Sequence, residues 1–175
     1  IERPLVFAGN DLPGVMLASA VERHLARYAA APGRSAVVVG TNDSIYRTAE
    51  MLLAAGVEVR AVVDTRPVVP QRFAHRIASD GIPLHAGTVV THATGGQRLR
   101  RIHLARADGL GQPKDGWREV IEAEVLAVSG GWTQTIHLAS QAGGAPVWRA
   151  DLDAFVPGTP REAWIAAGAV NGAAG

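Results

Sequence analysis

The sequence predicts an α/β fold, a parallel sheet core carrying a small antiparallel β layer. Two observations predict it. Residues 35–66, SAVVVGTNDSIYRTAEMLLAAGVEVRAVVDTR, read as strand, tight turn, helix and strand, which at ~30 residues is the length of one βαβ unit. Residues 99–104 and 120–128 instead alternate apolar with polar or charged side chains. That alternation is antiparallel meander character rather than another crossover.

Taken in order, residues 1–14 carry Pro4, Pro13 and several turn formers, and read as an extended leading segment and loop. Residues 15–31 are expected to be helical: Leu17, Val21, Leu25 and Tyr28 make one apolar stripe, with Glu22, Arg23 and Arg27 opposite. Pro32-Gly33 ends that run. Residues 36–39 are an apolar run, β-branched at three of four positions, as expected of a strand buried on both faces. From Ser44 the period changes, and Ile45, Ala49, Leu52 and Leu53 fall at helical spacing. Gly56 stands where a left-handed residue usually ends a helix. Residues 57–63 are the second strand, closed by Asp64.

Pro67 and Pro70 then break the chain, and residues 71–79 form a short basic helix with Arg72, His75 and Arg76 on one face, a face that could hold phosphate and is read first as a solvated one. Residues 82–90 give a short strand, a turn at Gly87 and the start of another strand. The stretch DGLGQPKDG from Asp108 reads as a loop. After residue 128 come Ser129-Gly130-Gly131-Trp132, where a glycine pair allows close approach of a ligand or another strand. Residues 133–141 fit a short helix and 146–155 strands with turns, while 165–174 are small residues suited to tight packing.

Composition bounds the function. At 175 residues the chain fits one domain, and 47% hydrophobic with 19% charged residues allows a full core. A net charge of +1 argues against nucleic acid as a partner. The absence of cysteine removes disulfides, thiolate metal sites and redox-active cysteine pairs from this chain, and is compatible with the cytosol. A cytoplasmic location is expected. No apolar run approaches the ~20 residues of a membrane span. The chain opens Ile-Glu-Arg-Pro and closes in a Gly/Ala run, so both ends are expected to be cuts within a longer polypeptide. The histidines show no H-x-x-x-H or H-E-x-x-H spacing, and G-x-S-x-G is absent. Neither a metal site nor a nucleophile is expected.

The turn after the first strand of the βαβ unit is the candidate site. A right-handed crossover puts that turn and the following helix N-terminus at the carboxyl edge of the sheet. Free N–H groups and the helix dipole favour an anion there. Asp64 lies about 20 residues beyond the turn, where dinucleotide-binding folds place an acid that accepts from the adenosine ribose hydroxyls. Such a carboxylate repels a 2′-phosphate and points to NAD over NADP, a preference that Arg66 nearby weakens. The three glycine places of G-x-G-x-x-G hold Gly40, Asn42 and Ile45. Asn42 tolerates left-handed backbone angles and can stand in for the second glycine. Ile45 would hold helix and strand further apart. Spacing alone leaves two readings open, a dinucleotide site and a βαβ turn that binds nothing.

The blocks IERPLVFAGNDLPGVMLASAVERHL, TNDSIYRTAEMLLAAGVEV and VLAVSGGW, in that order along nearly the whole chain, resemble the α subunit of heterotetrameric sarcosine oxidase. The flavin subunits of opine oxidases and hydrogen cyanide synthase share much of the pattern. The resemblance implies a Rossmann-like NAD-binding domain inserted into a larger FAD domain, as in two-dinucleotide-binding flavoproteins. Residues 15–145 would be its core, with 1–14 and 146–175 as connections to the FAD domain. It implies that Gly40, Thr41, Asn42, Asp43 and Ser44 surround the pyrophosphate, and that Asp64, Thr65 and Arg66 face the adenosine ribose. Thr91 and His92, ending a strand at the same sheet edge, would border the adenine, and Gly130 and Gly131 would lie toward the nicotinamide. Asp43 fits better as a helix N-cap than as a ligand of a diphosphate. Ala167-Gly168-Ala169-Val170-Asn171-Gly172 resembles the A-G-D-x-x-G stretch that meets FAD, but Ala169 replaces the acid, so no flavin contact is carried over.

The family reaction is oxidative demethylation of sarcosine, with FAD, FMN and tetrahydrofolate elsewhere in the assembly and amine oxidation in another subunit. The expected partners are therefore a dinucleotide and the other subunits of a hetero-oligomeric oxidase, with no catalytic residue in this chain and no membrane partner. Three alternatives stand beside this reading. One is the same domain from an opine or amine oxidase. Another is a scaffold with weak or lost nucleotide binding. A thioredoxin reductase-type enzyme is the third, and the lack of cysteine excludes it.

Overall fold

A computed structural model describes residues 1–161 and 163–172. The chain divides into two compact units, residues 2–131 and residue 1 with 132–175.

The first unit is built on a parallel sheet. Its strands are β1 (Val15–Leu17), β2 (Ser35–Gly40), β3 (Glu58–Asp64), β4 (Leu84–Ala86) and, last in the chain, β8 (Val125–Ser129). Their order is β1-β8-β2-β3-β4, and every neighbouring pair is parallel. Three helices, α1 (Ala18–Tyr28), α2 (Ser44–Ala54) and α3 (Gln71–Ser79), serve as its crossovers. Three further strands, β5 (Thr88–Gly95), β6 (Leu99–Ala107) and β7 (Pro113–Glu122), form a separate antiparallel meander.

Side-chain alternation sorts these elements into layers. On β2, Ala36 and Val38 face one cluster with Val21 of α1, Ile45, Tyr46, Ala49 and Leu52 of α2, and Ile77 of α3. Val37 and Val39 face the opposite cluster, which holds Val90, Ala93, Leu99, Ile102 and Leu104 of the meander. The parallel sheet is thus covered by helices on one face and by the antiparallel sheet on the other. This is why residues 36–39 of β2 are apolar at every position, as the sequence predicts, and residues 125–128 of β8 are too. Gly56, at φ +77°, and Gly81, at φ +70°, occupy the left-handed positions that follow α2 and α3.

Three expectations need correction. Val15–Leu17 is a strand paired with β8 and not the first turn of a helix. In addition, α1 stops at Tyr28, which is 60% exposed, so the apolar stripe ends earlier than the spacing implies. The run at 120–128 is not one meander strand. It breaks at Ala123-Glu124, and β8 crosses into the parallel sheet between β1 and β2, where both of its faces are buried. Finally, residues 113–116 belong to β7 and not to the loop, since Pro113 opens the strand opposite Ala107. Proline is tolerated there because β7 is a sheet edge. The loop itself is residues 108–112, closed by Asp108 Oδ1 accepting from the Leu110 and Gln112 N–H groups.

In the second unit, α4 (His137–Gln141) is followed by a hairpin of β9 (Pro146–Arg149) and β10 (Ala154–Pro157), with Trp148 packed edge-on against Phe155. Gly168–Asn171 forms one 3-10 turn. Ala173 and Ala174, part of the small-residue stretch, lie outside the described residues. Among the described residues no helix is long and apolar enough to cross a membrane, and no three His, Asp or Glu side chains cluster as metal ligands.

Candidate functional site

The carboxyl ends of β2, β3 and β8 meet at one edge, and the residues just beyond them build the site. Gly40 ends β2 where an added Cβ would lie 2.5 Å from both Ile45 Cγ2 and the Ser129 carbonyl. Ile45, at the third glycine position of the fingerprint, is fully buried against Gly40. It does not hold helix and strand apart, because the missing Cβ at Gly40 makes room for it.

The turn is held by side chains. Asn42 Nδ2 donates to Ser129 Oγ at 2.9 Å, while Asn42 Oδ1 accepts from the Ser44 N–H at 3.0 Å and the Ser44 hydroxyl at 2.6 Å. Asn42 is not among the residues with positive φ, so it does not replace a glycine's left-handed backbone. Asn42 thereby satisfies the first N–H of α2, and Asp43, expected to cap that helix, makes no side-chain cap bond. The Asn42 and Asp43 N–H groups have no partner among the described residues.

Asp43 instead faces two arginines. Arg66 Nη2 lies 2.8 Å from its Oδ1, and Arg72 Nη2 donates to its Oδ2 at 3.2 Å. Asp64, ending β3, is fully buried. Its Oδ1 accepts from the Arg66 N–H at 2.9 Å and from Arg66 Nε at 3.0 Å. Its Oδ2 accepts from Arg66 Nη2 at 2.7 Å and from the Tyr46 hydroxyl at 2.6 Å. Tyr46 stacks on Phe73 at 4.4 Å, and the Arg72 guanidinium lies 4.5 Å from the centre of the same ring. The contacts close a circuit through Asp43, Arg66, Asp64, Tyr46, Phe73 and Arg72. Burial and the Asp64 carboxylate hold the Tyr46 hydroxyl well above the usual phenol range. The hydrogen bonds it donates to Asp64 keep the Arg66 guanidinium charged more firmly than usual, against its own desolvation.

Thr41, Thr65 and Thr91 come together around one cleft of about 300 Å³, lined also by Leu5, Phe7 and Gln112. These threonines reach it from the ends of β2 and β3 and from β5. Thr91 and His92 do not end a strand at the parallel sheet edge: they lie inside β5, where the register slips between Val90 and His92. The bulge turns Thr91 into the cleft, whereas His92 stacks on His103 at 3.8 Å. Burial and the neighbouring His92 and Arg101 hold His103 below the ordinary histidine range.

The glycine pair serves the chain's own backbone first. The Gly130 N–H donates to the Arg3 carbonyl at 2.7 Å, and a Cβ on Gly130 would meet Pro4 O at 2.7 Å. Gly131, at φ +85°, borders Thr41 Oγ1 and the Arg3 guanidinium. The structure therefore gathers Gly40 to Ser44, Asp64 to Arg66, Thr91 and Gly131 at one mouth and turns His92 aside. Sequence reading missed Tyr46, and it did not foresee that Arg72 turns onto Asp43. Tyr46 falls outside the stripe formed by Ile45, Ala49, Leu52 and Leu53, and no spacing rule joins it to an acid 18 residues on.

No protein-family model matches the chain. It is 41% identical over 171 residues to the sarcosine oxidase subunit alpha of Rhizobium meliloti, covering 96% of this chain and 16% of that protein. It is 28% identical over 160 residues to the hydrogen cyanide synthase subunit HcnB of Pseudomonas aeruginosa, covering 81% of this chain and 34% of that protein. Among solved structures it superposes on an L-proline dehydrogenase from P. horikoshii with a TM-score of 0.62 at 17% identity, over 92% of this chain and 25% of that one. A FAD-dependent pyridine nucleotide-disulphide oxidoreductase from Desulfovibrio vulgaris gives 0.60 at 19% identity, over 88% and 42%. These two share the fold. The family expectation from the sequence blocks holds: over nearly all of its length, the chain is homologous to one segment, 16% of the whole, of a sarcosine oxidase alpha subunit.

Proposed function

We propose that this chain is the NAD-binding domain of a sarcosine oxidase-like flavoprotein, a cytoplasmic oxidoreductase whose full complex demethylates sarcosine oxidatively. Other subunits and the FAD site lie outside this chain. One observation carries the reading: threonines from three separate elements converge on a single cleft beside the two unpartnered N–H groups that precede α2. An adenine dinucleotide fits this edge. Its pyrophosphate would take the Asn42 and Asp43 N–H groups, Thr41 and Thr65 would flank it, and the adenosine would run toward Arg66 and Thr91. Gly131 would lie on the nicotinamide side. The Asp43 carboxylate, awkward beside a diphosphate, is balanced by Arg66 and Arg72. NAD, when bound, would supply a nicotinamide ring, and no residue of this chain is assigned to the chemistry.

A scaffold role with lost nucleotide binding is the second reading, and the complete burial of Asp64 favours it. NAD titrated into the full-length protein, with binding followed by equilibrium dialysis, separates the two. Saturation is expected. A linear response through millimolar NAD overturns the first reading in favour of the second.

A further inference from the structure

Acids at the end of this strand bind ribose by accepting hydrogen bonds from its hydroxyls, which requires a carboxylate oxygen open to the ligand. Asp64 has none. It is fully buried, and both of its oxygens are taken by Arg66 and Tyr46. Arg66 is oriented by these bonds and by Asp43, yet its side chain remains 32% exposed. Its Nε and Nη2 are committed, whereas Nη1 has no partner among the described residues.

Resting on the dinucleotide reading above, we propose that Arg66 is the residue that recognises the adenosine ribose, with an Nη1 N–H donating to the 2′-hydroxyl oxygen, and that Asp64 and Tyr46 are positioning residues behind it. The polarity of recognition is inverted: the protein donates and the ribose accepts. Opening Asp64 to a ribose would require Arg66 to abandon a buried carboxylate, which is strongly unfavourable. Using the free edge of a guanidinium already fixed in place requires no rearrangement. Charge fits an unphosphorylated ribose as well. Asp43 and Asp64 balance Arg66 and Arg72, so this pair of guanidiniums offers no surplus charge to a 2′-phosphate.

The test compares NAD with nicotinamide 2′-deoxyadenosine dinucleotide on the full-length protein, again by equilibrium dialysis. Wild-type protein is expected to bind the deoxy analogue about tenfold more weakly, the loss of one hydrogen bond to a charged group. Arg66→Lys keeps a cation beside Asp64 but removes the spare fork nitrogen, and should bring the ratio close to one. Asp64→Asn should lower the ratio too, a change that a purely structural role would not produce because both ligands would weaken together. Equal binding of the two ligands by wild type, or a tenfold ratio that survives in Arg66→Lys, overturns the inference alone. So does tighter NAD binding by Arg66→Ala, which would mean that Arg66 obstructs Asp64. Failure of wild type to bind either ligand overturns both the inference and the dinucleotide reading.

Discussion

The first unit carries arginine clusters at both ends of its parallel sheet, and they differ in kind. At the carboxyl end, Arg66 is tied to a fully buried Asp64 and to Asp43, with Arg72 as its outer neighbour. At the amino end, Arg60, Arg98, Arg100 and Arg101 line a cleft of about 270 Å³ with Ser35 and Glu122. There Arg60 and Arg101 make exposed ion pairs with Glu58 and Glu122, and the Arg98 and Arg100 side chains have no hydrogen bond or ion pair among the described residues. The cleft with more arginines is the less organised one. Burial of an acid, and not the number of cations, fixes a guanidinium in one direction. Fixed direction is what a recognition group needs, since ordering a long solvated side chain at the moment of binding costs affinity.

The comparison breaks first at Asp64. Asp64→Ala leaves the Tyr46 hydroxyl without its buried acceptor and strips Arg66 of its bonds to Asp64, although Arg66 keeps its contact with Asp43, and should destabilise the fold by about 3 kcal/mol, read as a lower urea midpoint. It should abolish saturable NAD binding at the same time. A loss below ~1 kcal/mol would put this pair in the same class as the exposed pairs at the amino end.

Tyr46→Phe sharpens the contrast. It keeps the stack on Phe73 and deletes one hydrogen bond to a buried carboxylate, for an expected loss of about 1.5–3 kcal/mol. The same variant carries a pH signature. The folded protein holds the Tyr46 proton to higher pH than an unfolded tyrosine, which releases it near pH ~10. The unfolded state therefore binds fewer protons above that pH, and stability falls as pH rises. Below pH ~10 this contribution is fully present. Urea unfolding between neutral and strongly alkaline pH should show a steeper decline in wild type than in Tyr46→Phe. Gly40→Ala acts on the same end through shape alone. Its Cβ would meet Ile45 and the Ser129 carbonyl at 2.5 Å, and backbone cannot yield as a side-chain tip can. A loss of about 1–3 kcal/mol is expected in the same urea assay.

These residues also show what the sequence could and could not reveal. The β2-α2-β3 unit was legible because its periods differ sharply: a continuous apolar run, then helical spacing, then a second run ended by an acid. The places of Gly40 and Asp64, at the ends of the two apolar runs, are legible for the same reason. β1 and β8 were misread because three residues of strand ahead of a helix carry no period of their own, and because the 120–128 alternation runs across a break that only the sheet reveals. The turn gave its location but not its internal roles. Asn42 and Asp43 are adjacent, short and polar, and spacing cannot say which caps the helix. That was decided by Arg66 and Arg72, which draw Asp43 outward and leave the Ser44 N–H to Asn42. Tyr46 was invisible because its partner Asp64 meets it across the βαβ crossover.

The smallest effect is expected at the amino end. In Arg98→Ala with Arg100→Ala, two exposed side chains without charged partners are removed from a turn whose backbone is otherwise fixed: Leu99 N–H donates to the Pro13 carbonyl, and Ala123 N–H to that of Arg100. Neither bond involves a side chain. Stability should change by less than about 0.5 kcal/mol, and NAD affinity should not move, because the cleft lies at the opposite end of the sheet strands. Urea midpoints and dialysis isotherms that overlay wild type would fix the distinction between a guanidinium held by a buried acid and one held by water. A drop in stability approaching that of Tyr46→Phe would mean that the free arginines shape the turn through packing of their aliphatic stems, and that the amino-end cleft is as organised as the carboxyl-end mouth.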